Sequence, residues 1–74
     1  MQILTRAVAI TPSDTGHLTQ PCILFVGSTG NVKVDTGDDS GVIFLNVPDG
    51  TVIPLLVSRV YDTDTTASDI VGMW

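Results

Sequence analysis

The chain has 74 residues, 43% of them hydrophobic, and a formal net charge of −5. That length makes one domain, residues 1–74, and a domain so small hides only about 60% of the surface its unfolded chain exposes. A core of that size barely offsets the conformational entropy lost on folding, so a further source of stability is needed. The single cysteine, Cys22, excludes an internal disulfide, and one cysteine with one histidine, His17, excludes a Cys/His zinc site. Association with other chains is what the composition leaves, and a positive mean hydropathy agrees with apolar surface that meets a partner.

All eight acids are Asp (14, 35, 38, 39, 49, 62, 64 and 69), with no Glu. Asp favours turns and disfavours helix interiors, so this usage points to loops between strands. The three basic residues, Arg6, Lys33 and Arg59, are scattered and cannot neutralise a run of phosphates, which argues against nucleic acid as a partner. The longest apolar runs, 23–26, 42–45 and 52–57, fall far short of the roughly 20 residues that span a bilayer, so no membrane role is expected. Residues 1–10 carry one charge and too short an apolar stretch for a secretion signal, and synthesis and assembly in a reducing cytoplasm is the expectation.

Val and Thr together supply twenty residues, and no window supports a helix. The first expected strand is 3–10, followed by a turn at Thr11-Pro12-Ser13-Asp14 and loop to Gln20-Pro21. Residues 22–26 are apolar throughout, which fits a central strand covered on both faces or one whose outer face lies in an interface. Gly27-Ser28-Thr29-Gly30-Asn31 reads as a hairpin connection into 32–35, where alternation places Lys33 and Asp35 outward. Residues 37–41 form a second hairpin loop before a strand at 42–47.

Pro48-Asp49-Gly50 is the clearest turn, because Pro suits its first central position and Gly tolerates a positive φ. The longest strand, 52–61, contains Pro54, which cannot donate to a ladder and belongs at an edge, a bulge or a switch between sheets. A polar loop, 62–68, precedes a last short strand at 70–74. The expected fold is all-β, a small antiparallel β-sandwich or barrel of about six strands.

Few residues suggest chemistry. Asp35-Thr36-Gly37 after an apolar strand, with Ile70-Val71-Gly72 later, imitates a retroviral-type aspartic protease, in which two Asp share a proton. Lys33 stands close before that Asp, and the interval 36–69 is short for a substrate-covering flap and connected core, so a hairpin loop is the competing reading. Asp62-Thr63-Asp64 and Asp38-Asp39 gather carboxylates, yet a helix-loop-helix calcium pattern from Asp62 would need Gly at Ala67 and Glu at Met73. Gly27-Ser28-Thr29-Gly30 lacks the Lys-Ser/Thr pair of a phosphate cradle, and His17 has no nucleophile elbow to serve. Cys22, at the start of an apolar strand, reads as an inert buried thiol, and Trp74 as an aromatic docked on the core or on a neighbour. No catalytic, cofactor-binding or metal residue is expected.

Four segments, in this order, resemble one family: 7–15 (AVAITPSDT), 25–32 (FVGSTGNV), 46–54 (NVPDGTVIP), and Arg59-Val60 with Thr65-Thr66-Ala67. The chain is similar to the head spike base proteins of gene transfer agents and related tailed phages. Cys22 departs from that pattern where a basic residue is usual, and Asp64 where Gly commonly precedes Thr-Thr-Ala. The resemblance implies a structural virion protein on the capsid surface, decorating or cementing the shell or forming the base of a head spike. A tail or baseplate adaptor is the alternative. Implied partners are the major capsid protein, a spike fibre protein and further copies of the chain in a pentamer or trimer. Interface anchors are expected at Arg59 and Tyr61 on the long strand, at Pro48, Asp49, Gly50 and Thr51 in the turn, and at Trp74.

Overall fold

The computed structural model describes residues 4–18 and 20–74. Six strands run through them: β1 (Ala7–Ala9), β2 (Cys22–Ser28), β3 (Gly30–Thr36), β4 (Val42–Val47), β5 (Thr51–Val60) and β6 (Ser68–Met73). They hydrogen-bond in the order β1-β6-β2-β5-β3-β4, every neighbouring pair antiparallel. The all-β antiparallel architecture is the one the strand and turn pattern implied.

Alternation along the strands decides which side chains meet. Cys22, Leu24 and Val26 of β2, Val32 and Val34 of β3, and Ile53, Val57 and Val60 of β5 are buried, joined by Val47, Ala67 and Ile70 in one cluster. A flat sheet would not bring these residues together, because they come from both ends of the strand order. The sheet folds over at β5.

Leu24 faces Ile53 and Cys22 faces Val57, so residues 54–56 of β5 stand opposite Ile23 alone. Two extra residues make a bulge, and a bulge bends its strand. Before it β5 pairs only with β2, after it with β3, and Val57 has Cys22 on one side and Thr36 on the other. Pro54 thus occupies a bulge where the chain passes from one layer to the next, with no ladder bond required of its nitrogen. One layer is β1-β6-β2 with the first part of β5, the other is the last part of β5 with β3 and β4, and the core lies between them. The segment 11–18 covers the edge of β5 that β2 leaves: Ser13 N–H donates to the Val60 carbonyl and Leu18 N–H to that of Ser58, both at 2.8 Å.

Several expectations need correction. The connection at 27–31 is not a hairpin, because β2 and β3 do not pair and instead flank β5. Only Thr29 separates the two strands, and the chain continues nearly extended around the corner of the sheet. Gly30 permits this, since a Cβ there would collide with the Ala67 backbone. The first strand is Ala7–Ala9, shorter than 3–10, with Ile3 outside the described residues. Asp35 is buried at 8% exposure rather than outward in solvent. Its side chain does point to the outer face, but neighbours on β5 and in the loop after β3 close over it. The turn at 48–50 is present, with Gly50 at φ 77°.

Candidate functional site

Two outer surfaces of different chemistry follow from this folding, one polar and one apolar. The polar one lies on the layer of β3 and the end of β5, where Asp35 and Arg59 are direct cross-strand partners. Arg59 Nη1 is 3.7 Å from Asp35 Oδ2, while Oδ1 accepts the Tyr61 hydroxyl and the Gly41 N–H, each at 2.8 Å. The Arg59 guanidinium also donates to the His17 ring, 2.9 Å from Nε2, so that nitrogen serves as the acceptor. Lys33 Nζ sits 4.9 Å from the Tyr61 ring centroid and 3.6 Å from Asp64 Oδ2. Burial alone would raise the Asp35 pKa, yet the bonds from Gly41 and Tyr61 and the charge of Arg59 outweigh it and hold the carboxyl below its usual range.

This arrangement fixes what Asp35 can do. A carboxylate paired with a guanidinium and bonded by donors of its own chain is held ionised, unlike the two carboxyls that share a proton in an aspartic-protease dyad. Its bonds tie β3 to β5 and to the loop after β3, and Arg59 extends the network to the segment carrying His17. Arg59 and Tyr61, expected as interface anchors, belong to this network and are half-buried within their own subunit. Sequence reasoning missed Asp35 and His17 as their partners; the residues are 24 and 42 positions from Arg59, Asp35 brought there by the pairing of β3 with β5 and His17 by the bonds of the 11–18 segment to β5.

The apolar surface covers the outside of the other layer. Cross-strand register aligns Ala7, Met73 and Ile23 in one row, and Ala9, Val71, Phe25 and Val52 in a second. No charged side chain interrupts either row. Ile23 and Phe25 are only half-buried, so β2 is a central strand that its own subunit does not cover on both faces. Leu56, 61% exposed on the β5 bulge, overhangs a hollow of about 490 Å³ that Ile23, Met73 and Trp74 also line. Exposed apolar side chains also occur on β4, in the layer of β3, where Ile43, the cross-strand partner of Lys33, is 43% and Leu45 68% exposed.

The remaining expected anchors lie apart from the polar cluster. Pro48, Asp49 and Gly50 are exposed, and Thr51 is half-buried at the start of β5. Pro48 and Thr51 border a hollow of about 300 Å³ with Phe44, Leu45 and Val52. Trp74 packs partly against the core, and its carbonyl accepts the N–H groups of Thr5 and Arg6 at 3.0 and 2.8 Å. Cys22 is buried and burial pushes its thiol up, against a bond from the Met73 backbone that lowers it, which keeps it protonated and unreactive. Among the described residues no three His, Cys, Asp or Glu side chains gather closely enough to hold a metal ion.

A β fold with an apolar outer face and a core this small fits a protein that works in an assembly. No family model matches the chain, and no curated protein matches it. A solved structure does: a chain of the "Capsid of native GTA particle computed with C5 symmetry" is 32% identical, with a TM-score of 0.85 over 97% of this chain and 84% of that one. The chain belongs to the family of that capsid-particle chain. It is a gene-transfer-agent or phage capsid-associated structural protein.

Proposed function

We propose that the chain is a structural virion protein of a tailed phage or gene transfer agent, seated on the capsid surface, where it forms the base of a head spike or decorates and cements the shell. Similarity over nearly its whole length to a chain of a capsid particle carries this reading. The apolar rows of the β1-β6-β2-β5 layer support it, because an uncharged sheet face of this kind is stable when another surface covers it. The partners are the major capsid protein, further copies of the chain in a pentamer or trimer, and a spike fibre where the chain acts as a base. In this reading the turn from Pro48 to Thr51 and the edge of Trp74 meet those partners. Arg59 and Tyr61 act through the shape of the polar face.

Locating the chain in purified particles tests the proposal. Heads separated from tails should carry it in a fixed ratio to the major capsid protein, and imaging should place its density outside the shell. Recovery with the tail fraction, or absence from particles, would refute the capsid assignment. Trp74→Ala should reduce the number of copies retained by the head; retention equal to the parent chain would remove Trp74 from the interface.

A further inference from the structure

The two end strands of the sheet, β1 and β4, do not pair with each other, and each leaves one side of its main chain without a partner among the described residues. On β1, Arg6 exchanges bonds with Trp74 in both directions, and Ile10 N–H donates to Ile70 O at 2.9 Å. Antiparallel alternation then turns the main-chain groups of Ala7 and Ala9 outward, away from β6. On β4 the same reasoning applies to Ile43. Its partner Lys33 sends its N–H to Thr65 Oγ1 at 3.0 Å and receives Tyr61 N–H on its carbonyl at 2.8 Å, both away from β4. Lys33 and Ile43 are therefore a non-hydrogen-bonded pair, and the main-chain groups of Ile43 and Leu45 face outward.

The two free edges match. Six strands in strict antiparallel alternation leave β1 and β4 running in opposite senses along the sheet, so one copy added to the next continues the alternation. The outward-facing residues on both edges carry their side chains on the same, outer face: Ala7 and Ala9 share the rows of Met73 and Val71, and Ile43 shares that of Lys33. Small side chains on one edge face large ones on the other. With Ala9 opposite Ile43 and Ala7 opposite Leu45, the exposed Ile43 and Leu45 extend the two apolar rows of the neighbouring copy. Charge agrees with that register. Lys33 and Arg59 are engaged within the subunit, whereas Arg6 is exposed and comes to lie against Asn46, towards the exposed Asp49.

We propose that the β4 edge of one copy pairs with the β1 edge of the next, a head-to-tail contact between two copies of this chain that continues the sheet across subunits. The contact uses two different surfaces, so it is heterologous and closes into a ring where the rotation allows. It rests on the reading of the chain as a subunit of an assembly, and it identifies the surface through which copies meet.

Two variants block one edge each while sparing the fold. Ile43→Lys with Leu45→Lys places charges on the β4 edge, a known way of protecting an edge from pairing. Ala9→Pro removes an outward N–H that β6 does not use. Sedimentation of the purified chain at tens of micromolar should give an oligomer for the parent and monomers for both variants, each still folded by circular dichroism. An equimolar mixture of the variants retains one intact β4 edge and one intact β1 edge, and should stop at a dimer. A monomeric parent, a variant of parental mass, or a mixture that stays monomeric would overturn the proposal. Incorporation of the parent into particles reads the capsid assignment separately, so the two can fail independently.

Discussion

Leu24→Ala and Leu56→Ala make the same chemical change at opposite extremes of burial. Leu24 is fully buried between the layers, while Leu56 is 61% exposed on the β5 bulge. Truncating a buried leucine costs about 2–5 kcal/mol in lost transfer energy and residual cavity. A chain of this length has a total stability of roughly 4–11 kcal/mol at about 0.05–0.15 kcal/mol per residue. Leu24→Ala therefore removes a large part of the margin, and at about 4–8 °C per kcal/mol the melting temperature should fall by roughly 8–40 °C. Leu56→Ala should change stability by less than about 0.5 kcal/mol in the isolated subunit. Thermal unfolding followed by circular dichroism, repeated over a dilution series to separate subunit stability from association, measures both. Equal losses for the two variants in the dilute limit would show that the core does not lie between the layers.

Acid should expose the loop ties. Asp14 accepts the Thr63 hydroxyl at 2.6 Å and the N–H groups of Thr63 and Asp62 at 2.9 and 3.0 Å, which lower its pKa against a smaller opposing effect of burial. A carboxyl lowered by folding adds stability above its unfolded value near 3.9 and loses it as pH falls through the folded one. Denaturant midpoints should drop below about pH 4, less steeply in Asp14→Asn; an unchanged acid slope in that variant would exclude Asp14 as a contributor. Among glycines, Gly27→Ala should cost about 1–3 kcal/mol, because the new Cβ would stand 2.6 Å from the Asp69 carbonyl oxygen. Gly50→Ala meets nothing but adopts φ +77°, at about 1–2 kcal/mol, whereas Gly37→Ala, in open space, should be neutral within about 0.5 kcal/mol. Chemical denaturation of the three variants checks the ranking.

What could be read from the sequence was local. Period-two alternation located β3, the apolar runs located β2, β4 and β5, and Pro48-Asp49-Gly50 located its turn. Each depends on residues a few positions apart. Pro54 also carried its meaning unaided, because a proline lacks the donor that an unbroken ladder needs. The order of the strands was not legible. Gly27-Ser28-Thr29-Gly30 has the composition of a hairpin turn, but the bulge at 54–56 and the close approach of Ala67 to Gly30 send β3 to the far side of β5. That outcome depends on contacts between residues more than 20 positions apart.

The same distance effect explains where Arg59 and Tyr61, two of the expected anchors, are placed. Composition shows three basic residues among eight acids, and such cations are scarce enough that a buried acid claims the nearest one. Asp35 became buried because β3 pairs with the end of β5, and a buried carboxylate without a cation beside it is costly. Arg59 and Tyr61, read from sequence as surface groups for a partner, answer that internal demand, and Lys33 is drawn to Asp64 and the Tyr61 ring. Two of three cations are thereby engaged inside the fold. Arg6 stays exposed beside β1, the end strand of the sheet among the described residues. In the proposed head-to-tail contact the exposed Arg6 stands at the β1 edge, while six of the eight acids lie outside the strands.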